Sequence, residues 1–265
     1  MVDFNRKESY NVQDLVEIMK ILRAPEGCPW DAEQTHESIK KNLIEETYEV
    51  IEAINKDDKE LLCEELGDLL MQVVFHAQME SEASIFDFDA VADGVCKKLI
   101  ERHPHVFGDV SISGVDDVLT NWDAIKRKSK KQKTTTESML SVPRELPALM
   151  RATKLQKKAA DAGFDWPDVS GALDKLEEEI AELRQAISNN DSKNITEELG
   201  DILFSAVNVS RFVKSDAEEA LTSASDKFLS RFQKVEVLAA ERGMDMKSVG
   251  IDELDRLWDE AKSAE

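Results

Sequence analysis

The sequence predicts an all-α protein built from two tandem copies of one helical domain. Three observations carry that expectation. Apolar residues recur at three- and four-residue spacing along most of the 265 residues, and no convincing strand-like alternation appears. Glycine and proline are scarce, 10 and 6, which disfavours a turn-rich β protein. A series of landmarks recurs in the same order at a period of about 133 residues.

The helices are expected in order. In the first copy the apolar periodicity covers 11–23, 36–55, 59–82, 88–103 and 116–128. In the second it covers 145–162, 170–188, 192–213, 216–242 and 252–263, with Asp191 and Asp216 as N-caps. The landmarks tie the copies together. Gly27-Cys-Pro-Trp30 is answered by Gly163-Phe-Asp-Trp166, and Glu45-Glu46-Thr-Tyr-Glu49 by Glu178-Glu179-Ile-Ala-Glu182. Glu65-Leu-Gly-Asp68 is answered by Glu198-Leu-Gly-Asp201, Lys98 and Arg102 by Lys227 and Arg231, and Trp122 by Trp258. The predicted domains are 1–125 and 150–265. Between them, 126–149 is basic, then Thr/Ser-rich, then broken by Pro143 and Pro147, the composition of a linker. The three segments carry net charges of −17, −9 and +5 respectively.

Composition narrows the function. A net charge of −21 argues against nucleic acid or an anionic membrane as the main partner, because both need a positive surface. A phosphorylated small molecule remains compatible if a metal ion bridges the charges. Cys28, Cys63 and Cys96 form no CxxC pair and no Cys/His cluster, as expected of free thiols in a reducing cytosol. The polar start is unlike a signal peptide, and no apolar run reaches the roughly 18 residues of a membrane span. A cytoplasmic location is expected.

The chemistry is carried by paired carboxylates. Glu46 and Glu49 lie three apart on one expected helix, and Glu65 and Asp68 lie three apart on the next. Position 57, in the polar turn Lys56-Asp57-Asp58, is the midpoint of both 49/65 and 46/68. A helical hairpin folded there would bring all four together. Position 190 plays the same part for 182/198 and 179/201. Four uncompensated carboxylates repel one another, and a hard divalent cation resolves the conflict; oxygen-only ligands suit Mg²⁺ or Mn²⁺. A histidine-ligated di-iron site does not fit the second copy, because all four histidines lie in the first.

Other residues complete the pattern. Gly67 and Gly200 sit inside the acidic motif, where a mid-helix glycine costs about 1 kcal/mol against alanine and suggests close approach of a helix or ligand. Lys227 and Arg231, one turn apart, suit a polyphosphate, and Lys175 shares a helix face with Glu179 where the first copy has Asn42. Trp258 is placed either to stack on a base or to cap the core.

These residues resemble the MazG family of nucleoside triphosphate pyrophosphohydrolases, whose E-E-x-x-E…E-x-x-D pattern each copy matches. The segments "GCPWDAEQTHESI" and "ERHPHVFGDV" extend the likeness over nearly the whole chain. The resemblance implies an all-α, four-helix site, a homodimer, and hydrolysis of NTPs and dNTPs to monophosphate and pyrophosphate with Mg²⁺. It implies Glu179, Glu182, Glu198 and Asp201 as metal ligands, with Glu46, Glu49, Glu65 and Asp68 as a second set. It implies Lys175, Glu178, Asn194, Glu197, Asp201, Lys227, Arg231 and Trp258 as nucleotide contacts. Glu178, outside the ligand set, is expected to orient or deprotonate the attacking water. The second copy, with its fuller basic set, is expected to carry the chemistry. The competing expectation is a non-catalytic helical protein whose acidic clusters hold metal or a basic partner.

Overall fold

The computed structural model describes residues 4–110, 114, 125 and 134–263. Among them are twelve helices and no strand. The chain divides into two compact units, Met1–Lys126 and Arg127–Glu265. The first contains α1 (Val12–Arg23), α2 (Pro29–Glu33), α3 (Lys40–Asn55), α4 (Lys59–Glu82), α5 (Phe88–Arg102) and α6 (Pro104–Phe107). The second contains α7 (Thr135–Leu140), α8 (Ala148–Asp161), α9 (Val169–Ser188), α10 (Ser192–Phe212), α11 (Ala217–Glu241) and α12 (Ile251–Ser263).

The long helices fall close to their expected positions, and the differences have local causes. The helix expected from residue 36 starts at Lys40 instead. Ahead of it the Thr35 and Ser38 side chains accept hydrogen bonds from each other's backbone N–H groups, and such local bonds compete with a helix. Three short helices escaped the periodicity. Two of them, α2 and α6, begin with proline at the first turn. The third, α7, lies within the expected linker. Thr134 and Glu137 form a capping box at its start, and Lys158 of α8 donates to the Ser138 hydroxyl at 2.5 Å. This part of 126–149 therefore packs on α8 and is not a bare connection. The expected helix 116–128, with Trp122, falls outside the described residues.

Each unit is organised around one helical hairpin, α3–α4 in the first and α9–α10 in the second. The two turns are built alike. In the first, Asp58 N–H donates to Ala53 C=O at 3.1 Å and Asp57 N–H to Ile54 C=O at 3.1 Å, with Asp57 left-handed at φ 53°. In the second, Asp191 N–H donates to Ala186 C=O at 3.2 Å and Asn190 N–H to Ile187 C=O at 3.1 Å, with Asn190 at φ 53°. This bonding closes the first helix of each hairpin. The next residue at once opens the second helix: the Asp58 carboxylate accepts from Glu60 and Leu61 N–H, and the Asp191 carboxylate from Asn194 N–H. Asp and Asn tolerate the left-handed region better than most side chains. Ala53 and Ala186, two residues before the ends of α3 and α9, are fully buried. Asp216 caps α11 as expected.

Away from the turns, each unit has its own core. In the first, Met19 of α1 packs with Ile39 and with Val74, Phe75 and Met79 of α4. In the second, Val235 and Ala239 of α11 pack with Leu257 and Ala261 of α12. An arginine clamps each hairpin's second helix. Arg23 donates to both Glu82 oxygens, at 2.8 and 2.9 Å, and to the Asp31 and Gln34 carbonyls, joining α1, α2 and α4. Arg211 at the end of α10 forms a two-pronged pair with Asp165. Among the described residues, no helix is long and apolar enough to cross a membrane.

The Arg23 clamp makes the first unit acid-sensitive. Arg23's hydrogen bond holds the Glu82 carboxyl below its ordinary value of 4.5. Its stabilisation is therefore present above pH 4.5 and lost as pH falls through the depressed folded value. Glu82→Gln should lower the melting temperature at pH 7, and the gap to wild type should close as the pH drops below 4.5. Thermal melts at several pH values would show it.

Candidate functional site

The hairpin turns deliver the expected carboxylates to one place. In the first unit, oxygens of Glu46 and Glu49 on α3 and Glu65 on α4 lie within 4.8 Å of one another. In the second, Glu179 and Glu182 on α9 and Glu198 on α10 do the same. Glu179 is only 5% exposed, which is rare for a glutamate without partners.

Asp68 and Asp201 stand beside these triads and not within them. Asp68 acts on Glu46 through its charge, and Asp201 acts on Glu198.

The electrostatics show the strain of this arrangement. Burial, then the charges of Asp68 and Glu49, push the Glu46 pKa up. Burial, then Glu49 and Glu64, raise Glu65. In the second unit, a hydrogen bond with Glu179 followed by burial raises Glu182. Burial, then Glu182 and Glu179, raise Glu198. Carboxyls that resist ionisation because they are desolvated and crowded by other carboxyls fit a hard divalent cation, which would offset both costs. The acidic clusters can hold a metal, and their oxygen-only donors match such an ion.

The copies differ in how they hold the second glutamate of the E-E-x-x-E motif, buried Glu179 in one and half-buried Glu46 in the other. In the second, Lys175 reaches Glu179 at 2.8 Å and Glu178 at 3.1 Å, and these bonds, Glu179's first, hold the ammonium strongly protonated. In the first, Gln72 of α4, itself 4% exposed, donates its amide to Glu46 at 3.4 Å. Gln72 was not anticipated from sequence. It lies seven residues after Glu65, so it follows the acidic pair on the same helix face.

The remaining expected residues fall on other parts of the second unit. Asn194 and Glu197 sit in the first turns of α10, Asn194 half-buried and Glu197 exposed. Lys227 and Arg231 lie on α11 and Trp258 on α12. The Arg231 guanidinium stands 5.9 Å over the Trp258 ring, and Phe228 packs against the same ring at 5.2 Å. Trp258 thus caps the α11–α12 core while keeping one cation at its face.

The glycines resolve differently from expectation. A Cβ at Gly67 or Gly200 would meet nothing within 4 Å, so no described helix approaches either one. Their faces are open. The same hairpins also expose large apolar residues, Ile44, Tyr48, Ile51 and Leu66 in the first unit and Leu173, Ile180, Leu199 and Leu203 in the second. By contrast Gly171 is filled, because a Cβ there would collide with the Trp166 ring.

Comparisons with known proteins agree with this geometry. Two stretches, residues 34–107 and 169–236, match the MazG nucleotide pyrophosphohydrolase domain, and each contains one complete carboxylate cluster. The chain is 44% identical over 259 residues to a nucleoside triphosphate pyrophosphohydrolase of Escherichia coli K12, covering 96% of this chain and 98% of that protein. It is 44% identical over 253 residues to a Thermotoga maritima protein named nucleoside triphosphate pyrophosphohydrolase/pyrophosphatase MazG, covering 96% of each. It is 48% identical over 251 residues to the uncharacterized protein YabN of Bacillus subtilis, covering 94% of this chain and 51% of that one.

The turn sets the register of the site, so changing its length should abolish the site without unfolding the helices. Inserting one glycine after Asn190 rotates α10 by about 100° relative to α9, given 3.6 residues per turn. Helical content by circular dichroism should stay near wild type, while divalent-cation binding by the second unit should be lost.

Proposed function

Because the chain belongs to the MazG nucleotide pyrophosphohydrolase family, we propose that it hydrolyses nucleoside triphosphates, ribo and deoxy, to the monophosphate and pyrophosphate with Mg²⁺, or Mn²⁺ in its place. The observation that carries the reading is the convergence of three glutamates across each hairpin, in two copies of a domain from that family. Glu179, Glu182, Glu198 and Asp201 would hold the ion in the second unit, and Glu46, Glu49, Glu65 and Asp68 in the first. When bound, the ion supplies charge neutralisation at the triphosphate oxygens.

The chain's own residues do the rest. Lys175, Lys227 and Arg231 bind the phosphate tail, Arg231 from a position steadied by the Trp258 ring. Trp258, Asn194 and Glu197 contact the nucleotide. Glu178 lies outside the triad and is exposed, held only by Lys175 at 3.1 Å, so its carboxylate is free to orient and accept a proton from the water that attacks phosphorus. The oxygen–phosphorus bond broken is the one that releases pyrophosphate.

A homodimer is part of the same proposal: the open faces at Gly67 and Gly200 and the exposed apolar residues of the hairpins would be covered by a second copy. A cytoplasmic setting suits a nucleotide substrate and three free cysteines.

Incubation with Mg²⁺ and a panel of NTPs should yield NMP and pyrophosphate. NDP with phosphate would mean the wrong bond. No turnover with metal binding retained would leave a non-catalytic acidic scaffold. Glu178→Gln should lower kcat by about 10²-fold or more, the usual weight of a general base, while leaving metal affinity near wild type. Glu179→Ala/Glu182→Ala should cost far more turnover than Glu46→Ala/Glu49→Ala, and equal losses would show both copies at work. Sedimentation should give a dimer.

A further inference from the structure

The two acidic clusters are alike in their carboxylates and unlike in what neutralises them. In the second unit Lys175 is an internal cation, 2.8 Å from Glu179 and 3.1 Å from Glu178. Its position, four residues before Glu179 on one helix face, keeps it beside the cluster whatever α10 does. In the first unit the corresponding position is Asn42, and the half-buried Glu46 is held by the neutral amide of Gln72. The charged groups that act on Glu46 and Glu65 are all carboxylates: Asp68 and Glu49 on the one, Glu49, Glu64, Asp68 and Glu52 on the other. On Glu182, Lys175 acts with the opposite sign.

We infer that Lys175 is a built-in counter-ion that competes with the metal in the second unit, so that the two copies load divalent cation at different concentrations. This rests on the metal-binding reading given above. A cation entering the first cluster meets, among the described residues that act on Glu46 and Glu65, carboxylates and the neutral Gln72 amide. A cation entering the second must share Glu179 with an ammonium 2.8 Å away or displace it. Displacement is unfavourable until another anion takes the lysine. A triphosphate is such an anion, so metal and substrate bind the second unit with positive coupling, and each strengthens the other by the same factor. Lys175 is thus a positioning residue with two partners in sequence, Glu179 in the free site and phosphate in the loaded one. The first unit, with Gln72, needs no such exchange and stays charged with metal.

The test is nucleotide-free Mn²⁺ titration of the full chain, read by electron paramagnetic resonance of free Mn²⁺. Two classes of site should appear, separated by about ten-fold or more, as expected for one added like charge at close range. Glu46→Gln/Glu49→Gln should remove the tight class and Glu179→Gln/Glu182→Gln the weak one. Lys175→Asn should tighten the weak class towards the tight one. The converse variant, Asn42→Lys, should weaken the tight class, and it keeps the inference testable if Lys175→Asn folds poorly. Equal affinities at both sites, with no response to Lys175→Asn, would overturn the inference and leave the metal reading standing. No Mn²⁺ binding at either site would overturn both.

Discussion

Everything at the candidate site depends on one geometric constraint, the length of the turn between two helices. A left-handed residue at Asp57 or Asn190 closes the first helix, and the aspartate after it opens the second. No residue is left over. With the turn set, residues equidistant from it must face each other, because a helix rises by a constant amount per residue. The glutamates are placed at those distances, so folding the hairpin brings like charges together. The apolar contact of the helices, with Ala53 and Ala186 fully buried near the turn, must outweigh that repulsion.

The repulsion is therefore the stored information of the site. A cluster that raises the pKa of its own members is destabilising in isolation and is relieved by a divalent ion. The same chain solves this conflict in two ways. One copy places an ammonium among the carboxylates and the other places an amide. The difference lies at two matching positions, Lys175 against Asn42 and Ser205 against Gln72.

Much of this could be read in advance. The helices followed from apolar periodicity, the duplication from landmarks in order, and the pairing of Glu49 with Glu65 and of Glu182 with Glu198 from counting outward from the turn. The short helices α2, α6 and α7 could not, because one or two turns are too few to show a period. The recurring glycines Gly27 and Gly163 conceal a difference that spacing does not show. Gly27 and Gly163 open matching motifs, yet Gly27 is required because a Cβ would strike the carbonyls of Ile21 and Leu22, while Gly163 is required for its φ of 87°. One sequence landmark covers two physical reasons.

By itself the sequence determined the all-α class, the twofold repeat and the depth of each carboxylate on its helix, since these depend only on local periodicity and spacing along the chain. Only the tertiary structure decided which carboxylates actually meet. Asp68 and Asp201 stand beside the triads, and Gln72 reaches the first cluster from four residues beyond Asp68. The lateral packing of two helices sets those distances, and it is not written in a spacing.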